Sequence, residues 1–268
     1  MRYAAVLMIW AGSVSADGSG LIYENLDDVL LPQADIFLLG EVHDNAGHHA
    51  HQAALTAQIS PEAIVFEMVE MGVIDGANLR GIEGDARAEA LSWNTGGWGD
   101  FSAYAQIIAV APDAGIYAAG VPVATVREAM QAGADATFSG AAPRFGLDAP
   151  LPEDQQTARL ILQDDAHCNA MPADMLPMMI EAQRLRDAEL AQAALDAFDE
   201  TGGPVVIITG NGHARKDWAV PALLAIARPD ARVFAVGQTE DRAVMDGTFD
   251  LLLSSPAAER EDPCGAFR

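Results

Sequence analysis

The sequence predicts an α/β fold: a mostly parallel sheet flanked by helices, with a small helical insert subdomain capping the C-terminal sheet edge. Three observations carry this. Apolar runs bounded by glycine alternate with helical patterns, the signature of a parallel sheet covered on both faces. Two of those runs end in the same polar pattern, Gly40-Glu41-Val42-His43 and Gly210-Asn211-Gly212-His213. The alternation breaks once, between about residues 139 and 203, where the pattern is helical only.

The elements follow in order. Strands are expected at 36–40, 63–68, 116–121, 204–209 and 232–237, with helices near 46–59, 85–92, 101–111 and 124–132. Gly140–Pro152 reads as a linker rich in Pro, Gly and Ala. Two amphipathic helices, 153–165 and 178–199, then make an insert at about 140–203, joined by a turn bearing Pro and Met. That Met cluster is read as core filling or as the wall of an apolar pocket.

The first 16 residues read as a secretion signal. Arg2 gives the positive start, Tyr3–Gly12 an apolar core, and Val14-Ser15-Ala16 a small-residue cleavage site. An apolar core of about ten residues is too short for a membrane span, which needs roughly 20. The mature chain is expected to be one α/β domain, residues 17–268, periplasmic or secreted, with no membrane span. In that setting Cys168 and Cys264, the two cysteines, are expected to form a disulfide. The formal net charge is -24, a field that repels nucleic acid and anionic lipid surfaces and excludes both as partners.

Open α/β sheets bind ligands outside the carboxyl ends of their strands, so the polar residues ending each run are the site candidates. Glu41 and Glu67 each follow an apolar stretch, where a bare carboxylate is costly and has to be paired, hydrogen-bonded or metal-bound. With His43 and His213 they form a candidate catalytic set. His43, His213 and Glu67 also suit a divalent metal, though the spacing is not a helical metal-binding motif. Helical phase turns His48 and His51 inward with Leu55 and leaves His49 at the surface. Arg215 is a candidate carboxylate clamp, or else the ion-pair partner of Asp217 or Glu41. Trp93, Trp98, Phe101 and Tyr104 surround a Gly-rich loop and either stack on a flat ligand or pack in the core. The phosphate-binding glycine patterns and the nucleophilic-serine elbow are absent.

Gly-Glu-x-His-Asp-Asn with its trailing histidines, across Gly40–Gln52, resembles the ChaN-like family of haem-binding, iron-uptake proteins within the Tiki/TraB and erythromycin-esterase-like superfamily. Trp93-Asn94, Trp98 with Tyr104, His167-Cys168, Gln183–Ala188, Gly210–Arg215 and Asp262–Cys264 extend the likeness along the mature chain. The resemblance implies an exported haem-binding protein that acts in iron uptake, as a homodimer sandwiching haem. Candidate haem contacts are then Tyr104 and His167 as iron ligands, Arg215 at a propionate and Trp98 beside the ring. The superfamily's hydrolases imply the alternative, hydrolysis by a metal or by a Glu/His general base at Glu41, His43, Glu67 and His213. A third reading keeps the polar cluster for stability alone. Two departures stand out. No lipidated cysteine follows the signal, and Gly120 and Val123 replace an Asn and an Arg that the family tends to carry; Arg127 is the nearest substitute.

Overall fold

A computed structural model describes residues 22–262 and 264–265. The expected signal segment, residues 1–16, lies outside them. The strands are β1 (Ile22–Tyr23), β2 (Ile36–Glu41), β3 (Ala63–Glu70), β4 (Asp75–Ala77), β5 (Gly115–Gly120), β6 (Val205–Gly210), β7 (Val233–Glu240) and β8 (Leu251–Ser255). The helices are α1 (Ala46–Ile59), α2 (Asp85–Ala90), α3 (Thr95–Trp98), α4 (Ser102–Ala109), α5 (Val123–Ala132), α6 (Ala134–Thr137), α7 (Glu153–Ala166), α8 (Leu176–Thr201), α9 (Asn211–Ala214) and α10 (Val220–Ala227).

The strands form one sheet in the order β1-β8-β7-β2-β6-β3-β5-β4. Every pairing is parallel except that of β4 with β5. β2 and β6 are fully buried, as expected of central strands that read as continuous apolar runs. They pair from Ile36 with Val205 to Glu41 with Gly210. That register sets both Gly-x-x-His segments side by side where the strands end. Gly40 is required there: a Cβ would lie 2.6 Å from Asn211 Oδ1 and 2.9 Å from the Val236 carbonyl.

One face of the sheet is covered by α1 and α4, with Leu55, Tyr104, Ile107 and Ile108 in its core. The other is covered by α5, α8 and α10, with Leu185, Ala188, Ala191 and Leu195 packed on Leu38, Val65 and Ile207. The five expected strands and the four expected helices between them all form, with ends shifted by a few residues. The expected insert helices are α7 and α8. α8 is longer than expected: Pro177 sits in its first turn and Gly202, in the left-handed region at φ 81°, ends it. Its C-terminal half packs under the sheet, while its N-terminal half reaches the sheet edge. The Met-bearing turn contributes nothing to either core cluster. Cys168 and Cys264 are joined by a disulfide. Among the described residues no helix is long and apolar enough to cross a membrane.

Three short strands, β1, β4 and β8, were not expected. β8 reads Leu-Leu-Leu-Ser-Ser and follows a loop rather than a helix, so it breaks the alternation used to find the others.

His49 corrects the helical-phase reading. It is 2% exposed. The phase argument assumed that α1 has one buried face, but α1 is sandwiched between the sheet and α4, and His49 packs against the Tyr104 ring at 4.5 Å. His48 is buried as expected. Its Nδ1 accepts from the Val42 N–H and its Nε2 lies 3.2 Å from the Thr239 carbonyl, the pattern of a neutral ring. Burial pushes its pKa down accordingly. Through Val42 it anchors the loop that carries His43. Asn45 caps α1 by accepting from the Gly47 and His48 N–H groups, which fixes the other end of the same loop.

Candidate functional site

The C-terminal edge of the central strands opens into a cleft of about 1010 Å³. Glu41, His43, Glu67 and His213 all line it, so the structure brings the four together. They form two carboxylate–histidine pairs, one at the end of each central strand.

The β2 pair is Glu41 with His43. Glu41 is buried, and its Oε1 lies 2.7 Å from His43 Nδ1 and accepts from the Tyr104 hydroxyl at 2.6 Å. Its Oε2 lies 3.5 Å from His49 Nε2, an ion-pair contact longer than a normal hydrogen bond. Burial alone would raise Glu41, but the hydrogen bond and charge of His43, with the His49 ring close by, outweigh it and hold the carboxyl below its ordinary range. Burial likewise opposes a charge on His43, and Glu41 with Glu67 overcomes it and raises the ring. The His43 side chain is 39% exposed, and its Nε2 makes no hydrogen bond.

The β6 pair is more enclosed. His213 Nδ1 lies 2.7 Å from Asp187 Oδ1, and its Nε2 lies 3.4 Å from Glu67 Oε1. Glu67 Oε2 accepts from the Thr209 hydroxyl at 2.6 Å and the Gly210 N–H at 2.8 Å. Burial disfavours charge on His213, yet the two carboxylates win and raise it to about 10. Burial alone would raise Glu67 too, but His213 and His43 hold it well below the carboxylate range. Asp187 is raised, because burial dominates there. At neutral pH His213 is therefore a cation with a proton on each nitrogen. Gln183 Nε2 lies 3.3 Å from His213 Nε2. By NMR both ring protons of His213 should stay observable at pH 8, and Glu67→Gln should move its titration downward; a midpoint near 6.5 in the wild-type chain would contradict this arrangement.

Among the described residues no group of three His, Cys, Asp or Glu side chains is arranged to hold a metal ion. The expected set of His43, Glu67 and His213 is thus together in space but not placed as a metal site.

The expected haem contacts separate. Trp98 lines the cleft and meets His43 edge-on, with ring centroids 4.9 Å apart. Tyr104 is fully buried against Trp93 and donates to Glu41; burial and Glu41 raise its pKa, and it does not line the cleft. It orients Glu41, and through it His43. Arg215 is turned away: its guanidinium grips Asp217 at 2.6 and 2.7 Å and stacks on Trp218 at 3.5 Å. That is the ion-pair alternative of the sequence reading. His167 closes the end of α7, with Nδ1 2.7 Å from the Gln163 carbonyl, outside the cleft lining.

Val123 lines the cleft rim, and Gly120 leaves no room for a side chain: a Cβ would meet the Glu67 carbonyl at 2.6 Å, where β3 bulges between Phe66 and Glu70. Arg127 is exposed and is not part of the lining.

Three residues of α8 were missed as site residues. Gln183 and Arg186 line the cleft, and Asp187 holds His213 from behind. The signal was present, since Gln183, Arg186 and Asp187 fall at i, i+3 and i+4 and share one helix face between apolar residues.

The family described as haem-binding uptake, Tiki superfamily, ChaN matches residues 30–224. The chain belongs to this family. A solved structure of ChaN from Campylobacter jejuni, described as showing cofacial haem binding, has the same ChaN fold. The TM-score is 0.60 at 18% identity, covering 81% of this chain and 86% of that one. A succinoglycan biosynthesis protein is more distant, with a TM-score of 0.40 at 13% identity over 77% of this chain and 66% of that one. No curated protein matches. Haem binding in uptake is thus the property this ChaN family is described by.

Proposed function

We propose that this chain is an exported protein that binds haem, as the cargo of iron uptake, in the cleft at the ends of β2 and β6. The observation that carries the proposal is His43. Its Nδ1 is fixed by a buried carboxylate while its Nε2 stands unbonded in the cleft beside Trp98, the arrangement that orients histidine as an iron ligand. The fit extends to the walls. Met68, Val73, Val121, Val123 and Leu190 supply an apolar lining, and the volume is at the upper end of ligand pockets, about 1000 Å³. The disulfide suits an oxidising compartment, the periplasm or the exterior. The Campylobacter protein binds haem cofacially. The same arrangement here makes a homodimer, for which Val123, 61% exposed at the cleft rim, is an apolar edge.

Hemin added to the chain from residue 17 should give a saturable Soret shift, and His43→Ala should weaken binding about tenfold or more, the scale on which removing a ligand-supporting group acts. A wild-type titration without a saturable shift would sink the proposal.

A second reading is hydrolysis with His43 as general base. The Glu41–His43 hydrogen bond favours it, because a carboxylate at Nδ1 stabilises the ring that takes up a proton at Nε2. Such an activity would rise with pH, since the raised His43 has to lose its proton first.

A further inference from the structure

We infer that Arg186, with Gln183 one turn before it on α8, is the carboxylate-recognising wall of the cleft, so that the ligand is an anion held by at least one carboxylate. The chain is rich in acids, 39 against 15 basic residues, and its basic side chains are largely claimed. Arg184 pairs with Glu181, Arg215 with Asp217, Arg232 with Asp35 and Arg260 with Asp44 and Glu240. Arg186 differs. It is half-buried, it lines the cleft, and it has neither a hydrogen bond nor an ion pair.

The carboxylates nearby are committed. Glu41 is held by His43 and Tyr104, and Glu67 by Thr209, Gly210 and His213. Asp187, the next residue in the chain, holds His213. Glu70 also lines the cleft, but it is exposed and forms no ion pair with Arg186. Arg186 is the only Arg or Lys among the described residues lining the cleft. A half-sheltered guanidinium with its planar fork of donors unused matches a carboxylate through two parallel hydrogen bonds. Gln183 adds a neutral donor on the same helix face. Its side-chain amide lines the cleft, with Nε2 3.3 Å from His213 Nε2. In a chain of net charge -24, an anion is held only where such a local cation offsets the surrounding field.

The inference rests on the haem reading for the ligand's identity: the carboxylates would be the haem propionates. The test titrates wild type, Arg186→Gln and Arg186→Lys with hemin and with hemin dimethyl ester, whose carboxylates are masked. It also follows tryptophan fluorescence, with Trp98 as the cleft reporter, on addition of benzoate. Expected is an approximately tenfold loss of hemin affinity in Arg186→Gln, with a smaller loss in Arg186→Lys. Binding of the ester should be equal in all three, and a benzoate response should appear only where residue 186 is basic. Equal hemin binding by wild type and Arg186→Gln overturns the inference and leaves the haem reading intact. No hemin binding, with a benzoate response that depends on Arg186, overturns the haem reading and sustains the carboxylate wall. No response to either ligand overturns both.

Discussion

Replacing His213 with alanine should lower stability by about 3–5 kcal/mol at pH 7, the usual cost of removing one partner from a buried ion pair. Glu67 and Asp187 are both buried, and both rely on this one ring for positive charge at close range. For a chain of this size the melting temperature should fall by roughly 10 °C. The pH dependence is specific. His213 is raised from 6.5 to about 10, so its contribution is complete below 6.5 and is lost as pH rises through about 10. Glu67 is lowered from 4.5, so its contribution is present above 4.5 and is lost as pH falls. In His213→Ala the two stranded carboxylates titrate upward instead, and protonation relieves them. In urea unfolding the gap between wild type and variant should narrow as pH rises from 7 toward 10, where wild type loses a contribution that the variant lacks. A gap that stays constant between pH 7 and 10 would mean that His213 is neutral in the folded chain.

Loss of the Cys168–Cys264 disulfide should have an effect of similar size, up to about 4–5 kcal/mol in the chain-entropy account. The bond joins residues 96 apart in sequence and ties the C-terminal tail to the turn that follows α7. Such a long loop is costly to close in its absence, because the unfolded chain regains the whole of that freedom. The double variant with both cysteines replaced by serine should unfold at markedly lower urea concentration, and added reductant should shift the wild type to the same midpoint. Hemin affinity should be unchanged, since neither cysteine lines the cleft. A midpoint indifferent to reductant would show that the tail contributes nothing to the folded state.

The parallel sheet was legible because its central strands are short apolar runs closed by glycine, and burial on both faces demands such runs. The convergence of Glu41, His43, Glu67 and His213 was legible for a related reason. Strand ends are the one place where an α/β sheet presents side chains to solvent, so a charged residue directly after an apolar run has few other places to be. Asp187 and Arg186 were harder to place. They lie mid-helix, and only the crossing of α8 over the sheet edge decides that one holds a histidine and the other lines the cleft. Arg215 was misleading for a local reason: Asp217, two residues on, competes for it at no cost in chain ordering. Tyr104 misled because helical periodicity separates buried from exposed but does not separate a ring that lines a cleft from one that holds a residue lining it.

The strand order has a consequence for how this chain reaches its folded state. β6 lies between β2 and β3, yet it comes some 140 residues after β3 begins, about half the length of the chain, so its pairings are strongly non-local. Until it arrives, the facing edges of Ile-Phe-Leu-Leu-Gly-Glu and Ala-Ile-Val-Phe-Glu-Met-Val-Glu have no neighbour, and each is an apolar template for pairing with another molecule. A chain interrupted before Val205 would therefore lack the middle of its own sheet and expose its two stickiest edges at once.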